Sequence, residues 1–98
     1  MKPLICLPTY NEKENIVPLV QSILKQSNEL QVLVIDDTSP DGTAQAVEKL
    51  KHENEQDRSR IHILSRGHKN GRGGAVWDGV SYGLDNLDVD CFVEMDCD

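Results

Sequence analysis

No stretch of this chain comes near the ~20 consecutive apolar residues that a membrane-crossing helix needs. The opening residues, Met1-Lys2-Pro3-Leu4, lead into an apolar run too short for a signal peptide, and polar residues follow at once. The chain as it stands is expected to be soluble, or to reach a membrane through parts outside it. Positive charge is also scarce: 10 Lys and Arg stand against 17 Asp and Glu, a net charge of −7. That balance excludes a general nucleic-acid binder, because no positive field meets the phosphates. A phosphate-bearing ligand would need a metal ion or locally placed donors. The three cysteines, Cys6, Cys91 and Cys97, have no C-x-x-C spacing. No zinc site is expected, and free thiols buried in a reducing compartment are the reading. Aromatic residues make up 4% of the chain, and Trp77 and Tyr82 have no aromatic companions nearby. They are read as packing groups rather than as a nucleic-acid platform, and His68 and the other two histidines as surface residues. There is no internal repeat, low-complexity tract or linker, and 98 residues suit one small domain.

What is present is alternation. Four apolar runs of strand length occupy residues 4–7, 30–35, 61–64 and 91–95. The second (Val32, Leu33, Val34, Ile35) is apolar without a break, as in a parallel sheet covered on both faces. Between the first two runs, Ile16, Leu19, Val20, Ile23 and Leu24 form one helical stripe. Asn11 is one candidate cap, with Glu14 three residues on; a start nearer Glu14 is the other, given Pro18. A second helix is expected to begin with Ser39 as N-cap and Pro40 at the first helical position. Its apolar side is Ala44, Val47 and Leu50, and the polar stretch 51–60 reads as a frayed end and a solvated loop. In the third, Ala75, Val76, Gly79, Val80, Gly83, Leu84 and Leu87 share a face. The order β-α-β-α-β-α-β predicts an α/β fold with right-handed crossovers.

Each apolar run ends in polar, Gly or Pro residues. Pro8-Thr9-Tyr10-Asn11-Glu12 follows the first, and Asp36-Asp37-Thr38-Ser39-Pro40-Asp41-Gly42 the second. Arg66, Lys69 and Gly71-x-Gly73-Gly74 follow the third, and Asp96-Cys97-Asp98 the fourth. Ligands of open parallel sheets bind beyond the carboxyl ends of the strands, so all four clusters would meet on one edge. Asp96 and Asp98 are two residues apart; in strand geometry their carboxylates point the same way and suit Mg²⁺ or Mn²⁺. Either is otherwise a solvated acid at a strand end. Of Asp36 and Asp37, one would hold the turn while the other faces the ligand edge. The glycines either serve a tight turn or offer N–H groups to an anion, and Arg66 and Lys69 either pair phosphates or are solvated.

Four motifs occur in register: Leu7-Pro8-Thr9-Tyr10-Asn11-Glu12, Ile35-Asp36-Asp37-x-Ser39-Pro40-Asp41-Gly42-Thr43, Lys69-x-Gly71-x-Gly73-x-Ala75 and Met95-Asp96-x-Asp98. Together they resemble the dolichol-phosphate (polyprenol-phosphate) mannosyltransferases of glycosyltransferase family 2, over essentially the whole chain. The resemblance implies the N-terminal, nucleotide-sugar-binding part of a GT-A (Rossmann-like) domain, residues 1–98, cut after the fourth strand. It implies transfer of mannose from GDP-mannose to a polyprenol (dolichyl) phosphate, metal-dependent with Mg²⁺ or Mn²⁺, and inverting. By position, Pro8, Tyr10 and Glu12 are implied to contact the nucleotide, and Ile35 and Asp37 to lie beside the base and ribose. Asp96 and Asp98 are implied to hold the metal and diphosphate, with Cys97 touching the nucleotide through its backbone. The sequence departs from the family pattern at Thr38, where a small residue such as Gly is usual, at Arg72 for Leu, and at Cys97 for Ala.

The acceptor implied is a lipid phosphate, already anionic, so a strong general base is less needed than for a sugar hydroxyl. The resemblance also places the protein in the cytoplasm or peripherally on the cytosolic face of a membrane. Membrane association would come through parts absent from this chain, and the 98 residues alone are expected to be inactive. Alternative readings are a family-2 transferase using a UDP-sugar and a non-catalytic nucleotide-binding fragment. A receiver domain carries its acid pair after the first strand, where this chain has Tyr10-Asn11-Glu12. A Rossmann dehydrogenase needs first-turn glycines that are missing here.

Overall fold

The computed structural model describes residues 2–37, 39–66 and 71–95, with side chains at all of these outside 71–76. Its strands are β1 (Pro3–Thr9), β2 (Gln31–Asp36), β3 (Ile61–Ser65) and β4 (Cys91–Glu94). Its helices are α1 (Lys13–Gln26), α2 (Thr43–Glu53) and α3 (Gly71–Asn86), with a 3₁₀ turn at Arg58–Arg60. The four strands form one parallel sheet in the order β3-β2-β1-β4. The expected β-α-β-α-β-α-β alternation is the architecture found.

That order fixes where the helices go. From β1 to β3 the chain steps across the sheet in one direction, and then it returns past β1 to add β4. With crossovers of one hand, reversing direction puts the next helix on the opposite face. Accordingly α1 and α2 share one face, where Ile16, Val20, Ile23, Leu24, Val47 and Leu50 pack on Ile5, Leu7, Val32, Val34 and Ile61. The other face presents Leu4, Cys6, Leu33 and Ile35 to Tyr82, Leu87 and Phe92. The unbroken apolar run of β2 is therefore explained residue by residue, even numbers to one layer and odd to the other. Full burial of each such side chain contributes about 1.5–3 kcal/mol. Burial, with Glu94 adding to it, pushes the Cys6 thiol up to about 11, so it stays protonated at neutral pH.

Helix α3 lies very close to the sheet. A Cβ on Gly79 would sit 2.5 Å from Ile35 Cδ1, and one on Gly83 would sit 2.6 Å from Phe92 Cε1. The contact line runs through Gly79, Tyr82, Gly83 and Leu87. At about 100° per residue, Leu84 is then turned roughly 140° from Gly79 and out of the interface. It is 67% exposed, and Trp77 is 74% exposed, so neither is the packing residue the sequence suggested. Ala75 and Val76, expected on the same face, belong to the residues whose side chains are not described.

The polar stretch after α2 is more ordered than a solvated loop. The Arg60 guanidinium donates to the carbonyls of Ser27, Leu30 and Leu24 and to Asp57 Oδ1, at 2.8, 3.1, 3.4 and 2.6 Å. It therefore closes the carboxyl end of α1, where carbonyls lack helical partners. His62 is likewise not a plain surface residue: it is half-buried, with Nε2 2.8 Å from Gln31 Oε1.

Candidate nucleotide-sugar site

The reversal of strand order lies between β1 and β4, so the switch-point crevice opens beyond their carboxyl ends. Pro8 sits at this place for a backbone reason. Cys6 O accepts from Met95 N at 3.0 Å, and Thr9 O accepts from Asp37 N at 3.1 Å. Alternation therefore aims the nitrogen of Pro8 toward the β4 side, past Cys6–Glu94, the last Cα pair of that register. A proline there breaks no bond within the register Pro3–Cys6 against Cys91–Glu94.

The loops after β1 and β2 are tied together by side-chain oxygens from the second. Asp36 is 2% exposed and accepts from Thr9 Oγ1 at 2.8 Å, from Ser39 N at 3.0 Å and from Ser39 Oγ. Ser39 Oγ accepts from Asn11 N at 2.9 Å. Thr43 Oγ1 accepts from Glu12 N at 3.0 Å, and Asp41 Oδ2 from Lys13 N at 3.1 Å. Asn11 takes φ +58, a conformation that Asn tolerates better than most residues. Helix α1 has Glu12 as N-cap with no side-chain cap bond of its own, so its first free N–H groups are satisfied from the neighbouring loop.

This arrangement corrects the expected start of α2 and decides between the two offered for α1, which begins beside Glu14 and not at an Asn11 cap. Ser39 does not cap α2; it is held by Asp36, and α2 begins at Thr43 after Gly42, whose φ is +88. Asp41 does the capping instead, accepting from both the backbone N and the hydroxyl of Thr43. The hydroxyl bond of Thr43, together with backbone donors from Lys13 and Thr43, holds the Asp41 carboxyl below the usual carboxylate range. Helix α1 begins at Lys13, so Pro18 lies inside it rather than in its first turn. Of the adjacent acids, Asp36 holds the turn, as one of the pair was expected to.

Asp37 is free of that turn network. Its Oδ1 lies 3.2 Å from Nε of Arg66, and the same Nε lies 3.0 Å from Asp78 Oδ2. The Arg66 side chain is 3% exposed, so it is a buried cation between two acids and not a solvated residue. Its own N–H donates to Asp36 O at 2.8 Å, extending the β2–β3 pairing to the sheet edge.

The expected contacts distribute as follows. Pro8 is half-buried and Tyr10 is 40% exposed at the end of β1. Glu12 is half-buried, its carbonyl starts α1, and its Oε2 accepts from Asn15 Nδ2 at 3.3 Å. The Ile35 side chain is fully buried beneath Gly79, so only its backbone belongs to the sheet edge. Asp37 stands at the end of β2, beside β1. Asp96, Cys97 and Asp98 lie outside the described residues, as do Lys69 and Thr38. The chain reaches Met95 paired to β1, directly before Asp96. The sequence reading missed Thr9, Thr43 and Asp78. The first two were visible as hydroxyls inside the motifs, whereas nothing in the sequence links Asp78 to Arg66.

Comparison with known proteins agrees with this geometry. The sequence profile of glycosyl transferase family 2 matches residues 4–98. The chain is 36% identical over 97 residues to the polyprenol monophosphomannose synthase of Mycolicibacterium smegmatis, covering 99% of this chain and 35% of that protein. It is 40% identical over 99 residues to the undecaprenyl-phosphate mannosyltransferase of Micrococcus luteus, covering 100% of this chain and 38% of that protein. The chain thus spans little more than a third of the length of either relative. The mannosyltransferase PcManGT from Pyrobaculum calidifontis, solved with GDP-Man and Mn²⁺, shares the fold with a TM-score of 0.75 at 24% identity, over 83% of this chain and 24% of that one. With the first two motifs at the carboxyl ends of β1 and β2 and a profile match over nearly every residue, the chain belongs to glycosyltransferase family 2 and carries the GT-A fold.

Proposed function

We infer that the protein containing this chain transfers mannose from GDP-mannose to a polyprenol phosphate, with this chain forming the donor side of the site. The observation that carries the reading is the strand order, which reverses between β1 and β4. Ligands of such sheets bind beyond the carboxyl ends at the reversal, and Pro8, Tyr10, Glu12 and Asp37 lie at or just past the ends of β1 and β2, which supports the reading. Both relatives are named for mannose and a polyprenol phosphate, and PcManGT is named with GDP-Man and Mn²⁺, which supports the choice of sugar, carrier and metal.

In this reading Asp37 accepts hydrogen bonds from the base or ribose, and Tyr10 and Glu12 border the nucleotide from the β1 loop. Asp96 and Asp98 would hold a divalent cation; two carboxylates are a hard-oxygen donor set that fits Mg²⁺ or Mn²⁺. Such an ion supplies neutralisation of the charge that develops on the departing diphosphate. In a chain of net charge −7 that contribution is needed, because the donor brings further negative charge. The reaction is read as inverting at the sugar carbon. Among the described residues no helix is long and apolar enough to cross a membrane.

The full-length protein, incubated with GDP-mannose, Mn²⁺ and polyprenyl phosphate, is expected to form mannosyl phospholipid detectable by mass spectrometry. The 98-residue chain alone is expected to form none. Transfer to the lipid from UDP-glucose but not from GDP-mannose would replace this donor assignment.

A further inference from the structure

We propose that Asp78, on α3, is a positioning residue of the donor site, acting on Asp37 through Arg66; the proposal rests on the reading of Asp37 as a donor contact. Arg66 is the first residue past β3, and one atom of it, Nε, meets both acids: Asp37 Oδ1 at 3.2 Å and Asp78 Oδ2 at 3.0 Å. The side chains are 3% exposed for Arg66, 12% for Asp37 and 48% for Asp78. The cation is thus innermost and Asp78 is the outer member.

Burial decides what the trio does. An exposed pair of this kind would contribute almost nothing. A guanidinium at 3% exposure, by contrast, has to be neutralised where it sits. With Asp78 neutral, more of that charge falls on Asp37, whose Oδ1 faces the same Nε. Asp78, at the shorter distance, takes a share of that charge. Two carboxylates around one cation leave the trio with one net negative charge, and Asp37 keeps accepting capacity for a donor hydroxyl or ring N–H. Asp78 also ties α3 to the ends of β2 and β3, from the face opposite α1 and α2. Without its charge, Arg66 still has Asp37, so the fold keeps a neutral buried pair. What changes is how far Asp37 is available to the ligand.

The test is Asp78→Asn in the full-length protein, with Asp78→Glu as the conservative variant. For Asp78→Asn, KM for GDP-mannose is expected to rise roughly fivefold or more while kcat stays within about twofold. The thermal midpoint should hold, and Asp78→Glu should return KM to within about twofold of the unaltered protein. An active Asp78→Asn protein with unchanged or lowered KM overturns the inference alone. A rise in KM that comes with a lowered thermal midpoint and is not reversed by Asp78→Glu overturns it too, as a folding effect. Failure of the unaltered protein to bind GDP-mannose would overturn the functional reading, and this inference with it.

Discussion

Replacing Asp96 or Asp98 by Asn in the full-length protein is expected to lower mannosyl transfer by about 10²–10³-fold, the effect typical of removing a main electrostatic contact to charge that develops in the transition state. The chain carries 17 carboxylates against 10 Lys and Arg, so a diphosphate meets a chain with an excess of negative charge. Arg66, the one cation set into the described edge of the sheet, is already between Asp37 and Asp78. A divalent ion held by Asp96 and Asp98 would supply the missing positive charge, and an amide in place of either acid weakens that hold. Initial rates measured across a Mn²⁺ titration separate binding from chemistry. Each variant should need more Mn²⁺ and still fall short at saturation. Rates and metal dependence matching the unaltered protein would remove these residues, and the metal, from the account.

Asp36→Ala is expected to destabilise the protein by about 3 kcal/mol or more, a large share of the 5–15 kcal/mol typical of a folded domain. Asp36 is nearly sealed from water and accepts from Thr9 Oγ1, Ser39 N and Ser39 Oγ. The substitution strands buried donors on two loops at once, and Ser39 then loses the anchor from which it meets Asn11 N. Asp41→Ala should do less, because Asp41 is only half-buried and water can replace some of its bonds. Thermal unfolding of the two variants beside the unaltered protein gives the order. A midpoint for Asp36→Ala equal to that of the unaltered protein would contradict the assignment of Asp36 as the tie between these loops.

The two acids of the second motif show how far sequence reading reaches. That one of them would hold the turn followed from elementary turn chemistry, and Asp36 does so. Which one it was depended on the pleat: Asp36 ends β2 pointing at Thr9, and Asp37 is the next residue. The four strands, and the burial of β1 and β2 on two faces, were legible because apolar runs and helical stripes are local patterns. The start of α2 was misread because Ser39 is engaged by Asp36 instead of capping the helix. The ties at the two ends of α1 are not local. Lys13 N is held by Asp41, 28 residues away, and the Ser27 and Leu24 carbonyls at the end of α1 by Arg60, 33 and 36 residues away. Leu84 and Trp77 were misread because two glycines set how α3 lies on the sheet, and a hydrophobic stripe does not reveal which of its edges makes the contact. The Asp37–Arg66 pair follows from the β2–β3 pairing, whereas Asp78 meets Arg66 only through the crossover of α3.

The central claim is that the β1–β4 crevice is built for a guanine nucleotide sugar, and titration calorimetry on the full-length protein tests it most directly. With Mn²⁺ present, GDP-mannose is expected to bind at least tenfold more tightly than UDP-glucose, a difference of about 1.4 kcal/mol. Omitting Mn²⁺ should weaken GDP-mannose sharply. Tighter binding of UDP-glucose, or binding of GDP-mannose that Mn²⁺ does not affect, would contradict the account.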